Sequence, residues 1–184
     1  KTFILDLENK DKGRTVSNYG GWQSKDLSLQ ENSLKDLIVE IEANLGSVRE
    51  VLRLRKEFKL TVTNLWANVN GKGAVNIPHL HTGSLLSGVY YVMVPPNSGS
   101  LKIMNPNPYN FATFSFFGGL EKFTEGPTPF TTDTMEIVSG PGALVIFPSH
   151  LCHYVLPNLS EEKRISLSFN TKITRKTDEK KNTR

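Results

Sequence analysis

Lys59-Leu-Thr-Val-Thr-Asn-Leu-Trp-Ala-Asn-Val69 decides the fold class. Polar and apolar residues alternate along it, and β-branched and aromatic side chains are frequent, as in a strand with one buried face. Downstream, residues 85–94 (Leu-Leu-Ser-Gly-Val-Tyr-Tyr-Val-Met-Val) read as a strand of the buried type. Pro95-Pro-Asn-Ser-Gly99 turns the chain into a strand at 100–104, and Asn105-Pro-Asn-Pro108 breaks it. Shorter strands are expected near 111–116 and 134–138. Gly140-Pro-Gly142 leads into 143–147, and the last two strands are expected at 153–156 and 164–173. About eight strands separated by turn signals, with no helices between them, indicate an antiparallel sandwich or barrel.

Upstream of residue 58 the pattern is different. Leu34, Leu37, Ile38, Ile41 and Leu45 recur at three- and four-residue steps, so 33–57 reads as helical. Asn32 or Ser33 can cap its start. Gly46-Ser47 is expected to break it, with a second short helix after. Residues 1–30 read as polar and irregular, with the Gly20-Gly21 turn presenting Trp22 as an anchor.

The composition, 38% hydrophobic and 22% charged, is that of an ordinary globular protein, and 184 residues suffice for one domain with a real core. Much of the net charge of +4 lies after Asn170, which reads as a solvated tail rather than a nucleic-acid grip. The single cysteine, Cys152, excludes an internal disulfide framework and fits a reducing cytoplasm. No apolar run reaches membrane-span length. Nucleic acid and membrane are therefore not expected as partners.

All four histidines fall in two short segments, His79 with His81 and His150 with His153. Imidazole is the commonest protein ligand for transition metals. Residues two apart on an extended segment point the same way, so His79 and His81 can face one metal. His153 opens a later strand that a sandwich can bring beside them. His150 reads as a loop residue and Cys152 as a small buried hydrophobe. On the terminal strand, Arg164 and Ser166 share a face, and an arginine beside a hydroxyl suits a carboxylate. That face continues with Ser168 and Asn170, while Ile165, Leu167 and Phe169 occupy the other. A polar inner stripe fits a ligand cavity better than a packed core.

His79-x-His81, the Gly88-Val-Tyr-Tyr-Val92 and Gly99-Ser-Leu-Lys-Ile103 strands, Phe147-Pro-Ser with His153, and Arg164-x-Ser166 together resemble the 2-oxoglutarate and iron(II)-dependent oxygenases, the prolyl-hydroxylase-like branch in particular. Ser17-Asn-Tyr-Gly-Gly-Trp-Gln-Ser24, Trp66-x-Asn68 and Leu86-Ser-Gly-Val-Tyr-Tyr-Val92 also resemble oxygenases of marine bacteria and their phages. The resemblance implies a mainly β double-stranded β-helix, or jelly roll, of about eight antiparallel strands behind an N-terminal helical segment. It implies iron(II) on His79 and His153 and 2-oxoglutarate held by Arg164, with Ser166 its neighbour. Tyr91 would help hold the same carboxylate, or Tyr90 if the strand register differs by one.

One position departs from the family pattern, because His81 stands where a carboxylate ligand is usual. As a third imidazole it would remove one negative charge from the site. A carboxylate arriving from elsewhere, such as Asp133 or Glu136, would restore the ordinary triad. The expected organisation is an arm at 1–30, one jelly-roll domain with N-terminal helices at 31–173, and a flexible basic tail at 174–184.

The expected activity is a dioxygenase, a hydroxylase acting with molecular oxygen on a small molecule or a protein side chain in the cytoplasm. Asn68, Asn76, Ser87, Ser168 and Asn170 could line its cavity, the segment 105–133 could form a lid, and the N-terminal arm and helix could support a homodimer. The alternatives are a three-histidine jelly-roll dioxygenase that does not use 2-oxoglutarate, and a non-catalytic jelly-roll binding module.

Overall fold

A computed structural model describes residues 1–107, 125–126, 128 and 132–176. Two five-stranded antiparallel sheets face each other. The major sheet has the order β2 (Trp22–Gln23), β3 (Phe58–Asn70), β10 (Arg164–Arg175), β5 (Leu86–Met93), β8 (Leu144–Pro148). The minor sheet has the order β1 (Asn18–Tyr19), β4 (Val75–His79), β9 (His153–Val155), β6 (Leu101–Met104), β7 (Thr134–Ile137). This is the antiparallel sandwich expected from the strand pattern, in the jelly-roll form that the resemblance implies. The strand expected near 111–116 and most of the segment assigned to a lid lie outside the described residues.

The alternation of residues 59–69 changes phase at its middle, and the sheet shows why. Register between β3 and β10 slips at Asn170/Thr171, so that Asn170 faces Asn64 while Thr171 faces Val62. Thr63 is the extra residue of this bulge. The slip keeps Leu60 and Val62 on the same side as Leu65, Ala67 and Val69, and all five join one buried core.

That core lies on the outer face of the major sheet. Two helices cover it, α1 (Thr2–Lys10) and α2 (Lys35–Val51). Ile4, Leu34, Ile41 and Leu45 pack there against Ile165, Leu167 and Phe169. The apolar side of β10 is thus spent on the helices, and its polar side is left facing the other sheet. A smaller apolar cluster of Leu101, Ile103 and Phe147 fills part of the space between the sheets.

Three local expectations upstream are corrected. Residues 2–10 are helical rather than irregular, because Phe3, Ile4 and Leu5 reach the core beneath α1. Gly46 does not break α2: it lies on the open side of the helix, with nothing within 4 Å of an added Cβ. A helical glycine costs about 1 kcal/mol, less than the burial of Ile41 and Leu45 at 1% exposure contributes. The start of the helical segment is also different. Asn32–Leu34 forms a 3-10 turn whose Ser33 N–H donates to the Glu31 side chain, so the cap comes from Glu31 rather than from Asn32 or Ser33. Trp22 packs against the core and pairs with Val69 on β3, and its Nε1 donates to the Asp11 carbonyl at 2.8 Å within the N-terminal segment.

Gly88 carries the closest packing in the major sheet. Phe169 lies directly opposite on β10, and a Cβ at residue 88 would sit 2.2 Å from its ring. Gly88 is paired on both flanks and Phe169 is fully buried in the core, so neither backbone nor ring can shift freely. Gly88→Ala is expected to cost about 1–3 kcal/mol by overpacking, read as a lower denaturation midpoint with an unchanged slope.

Candidate metal centre

His79 ends β4 and His153 begins β9, and the two are directly opposed across the minor sheet. The strand alternation turns both rings toward the major sheet, with centroids 4.3 Å apart. Register between β4 and β9 slips just before this pair, between Asn76 and His79, a bulge that re-aims the strand end. His81 follows two residues on, beyond the strand, where its backbone N–H donates to the Ser149 carbonyl at 3.0 Å. Its ring lies 5.1 Å from that of His79 and 5.2 Å from that of His153, centroid to centroid. One ligand atom from each of the three lies within 4.8 Å of the others.

The hydrogen bonds select which nitrogens are offered. Nδ1 of His79 lies 2.7 Å from the Ile77 carbonyl, and Nδ1 of His153 lies 2.9 Å from the Leu151 carbonyl. A carbonyl can only accept, so Nδ1 carries the proton in both rings and Nε2 keeps its lone pair. Burial lowers the pKa of all three. Burial first, then the charges of His79 and His153, bring His81 to about 4. His153 is also brought to about 4, by burial first, against the opposing Leu151 bond. Three neutral imidazoles converging on one point suit a divalent transition metal.

This sets a pH dependence. In the folded chain His79, His81 and His153 protonate below their unfolded value of about 6.5. Between pH 4 and 6.5 the unfolded chain therefore binds more protons, and stability rises with pH. The contribution is complete above pH 6.5 and fades as pH falls toward 4. Thermal melts of the metal-free protein are expected to show a falling Tm across that window. In His81→Gln, the fall should be smaller.

No carboxylate joins the cluster among the described residues. Glu136 is held on the surface by Lys102 and Ser100, and Asp133 is exposed. Neither restores a two-histidine, one-carboxylate set. His150 is exposed and outside the cluster.

Beyond the histidines, a cavity of about 320 Å³ opens between the sheets. Arg164, Ser166, Ser168 and Asn170 line it from β10, and Asn68, Asn76 and Ser87 line it from β3, β4 and β5. Arg164 is 3% exposed. Its Nη1 donates to the Ser98 carbonyl, to Gly99 O at 3.2 Å and to Leu156 O at 3.5 Å. Gly99 permits this cradle: its φ is +82°, and a Cβ there would lie 2.2 Å from Leu156 O. These acceptors orient the guanidinium without neutralising it. Among the described residues no carboxylate pairs with it, and Glu161 bonds Lys72 instead. A buried, oriented cation without a counter-ion is a receptor for an anion.

The register also separates the two tyrosines. Tyr91 lies opposite Ser166, is 5% exposed and lines the cavity. Tyr90 points the other way and packs against the core under the helices. Burial raises the Tyr91 pKa, with the Arg164 charge and a hydrogen bond to Ser139 opposing it. The hydroxyl is thus kept protonated, able to donate to an acceptor beside Arg164.

Several lining residues were not assigned to the cavity from the sequence, among them Arg14, Gln23 and Trp66. Gln23 and Arg14 come from the N-terminal segment, and Trp66 comes from β3, its ring 5.8 Å from that of His81. Arg14 is held beside Gln23 by a bond from its backbone N–H to the Gln23 carbonyl, a contact no periodicity reveals.

Residues 64–170, more than half of the chain, match the family model described as "Putative 2OG-Fe(II) oxygenase". No curated protein matches the chain by sequence. Among solved structures, it is similar to a prolyl-4-hydroxylase from Pseudomonas putida, at 17% identity and TM-score 0.59, covering 92% of this chain and 80% of that one. It is similar also to HygX from Streptomyces hygroscopicus, with nickel and 2-oxoglutarate bound, at 15% identity and TM-score 0.58, covering 92% and 76%. A prolyl hydroxylase from Trichoplax adhaerens, in complex with a hypoxia inducible factor peptide fragment, gives 14% identity and TM-score 0.58, covering 100% and 80%. At these identities the likeness speaks for the fold.

Proposed function

The chain belongs to the 2-oxoglutarate and iron(II)-dependent oxygenases, and on that premise we propose that it hydroxylates a substrate C–H bond at an iron held by His79, His81 and His153. The observation that carries this reading is one cavity with two unlike ends. Three neutral imidazoles converge at one, and a buried arginine without a counter-ion lies at the other.

Each residue has a derivable part. His79 and His153 present Nε2, held in place by their bonds to Ile77 O and Leu151 O. Arg164 binds the distal carboxylate of 2-oxoglutarate, and Ser166 and the Tyr91 hydroxyl flank it on the same face. When bound, iron(II) and 2-oxoglutarate supply the oxidising chemistry with molecular oxygen, releasing succinate and carbon dioxide. Phe147, its ring 4.7 Å from that of His153, and Leu101 make one wall apolar and help exclude water. The protein's contribution is to bind, orient and shield.

The third imidazole favours one other reading, a three-histidine dioxygenase in which Arg164 binds a substrate carboxylate. Succinate formation separates the two. Iron-loaded protein supplied with 2-oxoglutarate and oxygen is expected to form succinate, at a slow uncoupled rate even without its substrate. Oxygen uptake with some other acid and no succinate from 2-oxoglutarate would favour the second reading.

A further inference from the structure

We propose that the substrate is an anion, which presents a carboxylate to the part of the cavity between the histidines and Arg14. The inference rests on the functional reading above and names the substrate class for the same site.

The first observation is the charge of the lining. Two arginines and three histidines face the cavity, and among the described residues no aspartate or glutamate does. The second is the balance once the co-substrate is in place. A divalent metal on three neutral imidazoles brings two positive charges, and Arg164 brings one. 2-Oxoglutarate brings two negative charges. One positive charge remains. With a carboxylate in the position of His81 the sum would be zero. A cleft between two sheets screens such a charge less than bulk water does, so it favours a ligand that cancels it.

The third observation is Arg14, a cavity-lining residue that is no part of the proposed metal or co-substrate set. Its Nη2 bonds Asp26, but its Nε is buried and has no hydrogen-bond partner. A buried donor without an acceptor is an uncommon feature that a ligand oxygen can complete, after a small movement of the side chain. The same cavity is also lined by the amides Gln23, Asn64 and Asn68 and by the apolar Val16 and Ile77. At about 320 Å³ the cavity is at the small end of ligand sites, roughly 300–1,000 Å³. Co-substrate and substrate would share it, which suits a small reacting group, whether a free acid or an acidic side chain.

The test uses the cobalt(II)-loaded protein, whose visible spectrum reports the metal environment. Saturating 2-oxoglutarate is added first, and its binding is measured. Failure to bind there strikes the functional reading itself, before the substrate class is reached. Sodium acetate and its neutral isostere acetamide are then titrated at constant ionic strength. Acetate is expected to bind at least about tenfold more tightly than acetamide, without displacing 2-oxoglutarate. His81→Asp should remove the preference, Arg14→Gln should reduce it, and Arg14→Lys should restore it. N-acetylglycine and a short aspartate-containing peptide, each against its amide form, then separate a free acid from a side chain. Equal binding of acetate and acetamide overturns the proposal. So does a wild-type preference in either His81→Asp or Arg14→Gln.

Discussion

Arg164→Ala is expected to weaken 2-oxoglutarate binding by about 100-fold or more while leaving the metal content at one per chain. Losing one member of a buried, hydrogen-bonded charge pair costs about 2–5 kcal/mol, which spans that factor. The position supports a value inside this range rather than below it. Arg164 is 3% exposed, and its Nη1 is already fixed by the carbonyls of Ser98, Gly99 and Leu156. The side chain is therefore ordered before the ligand arrives, and little binding energy is lost in orienting it. Arg164→Lys should recover only part of the affinity, since an ammonium cannot reproduce the forked geometry. Calorimetric titration of 2-oxoglutarate into nickel-loaded wild type and variants measures all three. A wild-type dissociation constant in Arg164→Ala would remove Arg164 from the site.

The second large effect is at the histidines, and it should be unequal. His79→Ala and His153→Ala are each expected to lose metal by more than about 100-fold in affinity. Outer-sphere partners of metal-bound histidines alone are worth about 10–100-fold, and these two rings have such partners in Ile77 and Leu151. The His81 ring has no hydrogen bond among the described residues and is held by its backbone bond to Ser149 and by the neighbouring rings. His81→Ala should therefore cost less than either of the others. His81→Asp should bind metal at least as well as wild type, because it restores a negative charge. Competition with a coloured chelator, read for the four variants side by side, gives the order. An Ala series in which His81 matters most would reverse the assignment of the two anchored ligands.

Much of this site was legible before the fold was known, for a simple reason. Period-two alternation is a local property, and it placed Arg164, Ser166, Ser168 and Asn170 on one face of the last strand and Ile165, Leu167 and Phe169 on the other. Although the strand that His79 ends was not expected, the turn before His153 gave that residue the start of a strand, and alternation gave His79 its direction. What it could not supply was their direct opposition, which depends on two strands far apart in sequence and on a bulge between Asn76 and His79. The choice of Tyr91 over Tyr90 also needed the register with β10, since a slip of one residue exchanges the two. The N-terminal segment was read least well. Its nine-residue helix is stabilised by contact with the sheet rather than by its own sequence, and Arg14 is held beside Gln23 by a backbone bond. Tertiary contacts of that kind leave no periodic trace.

The central claim is that His79, His81 and His153 hold a metal and that this metal and Arg164 together hold 2-oxoglutarate. The most direct measurement is the binding of 2-oxoglutarate under anaerobic conditions, with and without iron(II), to wild type, His153→Ala and Arg164→Ala. One equivalent bound per wild-type chain, only when iron is present, with binding lost in both variants, is the expected result. Equally tight binding without iron, or in either variant, would contradict it.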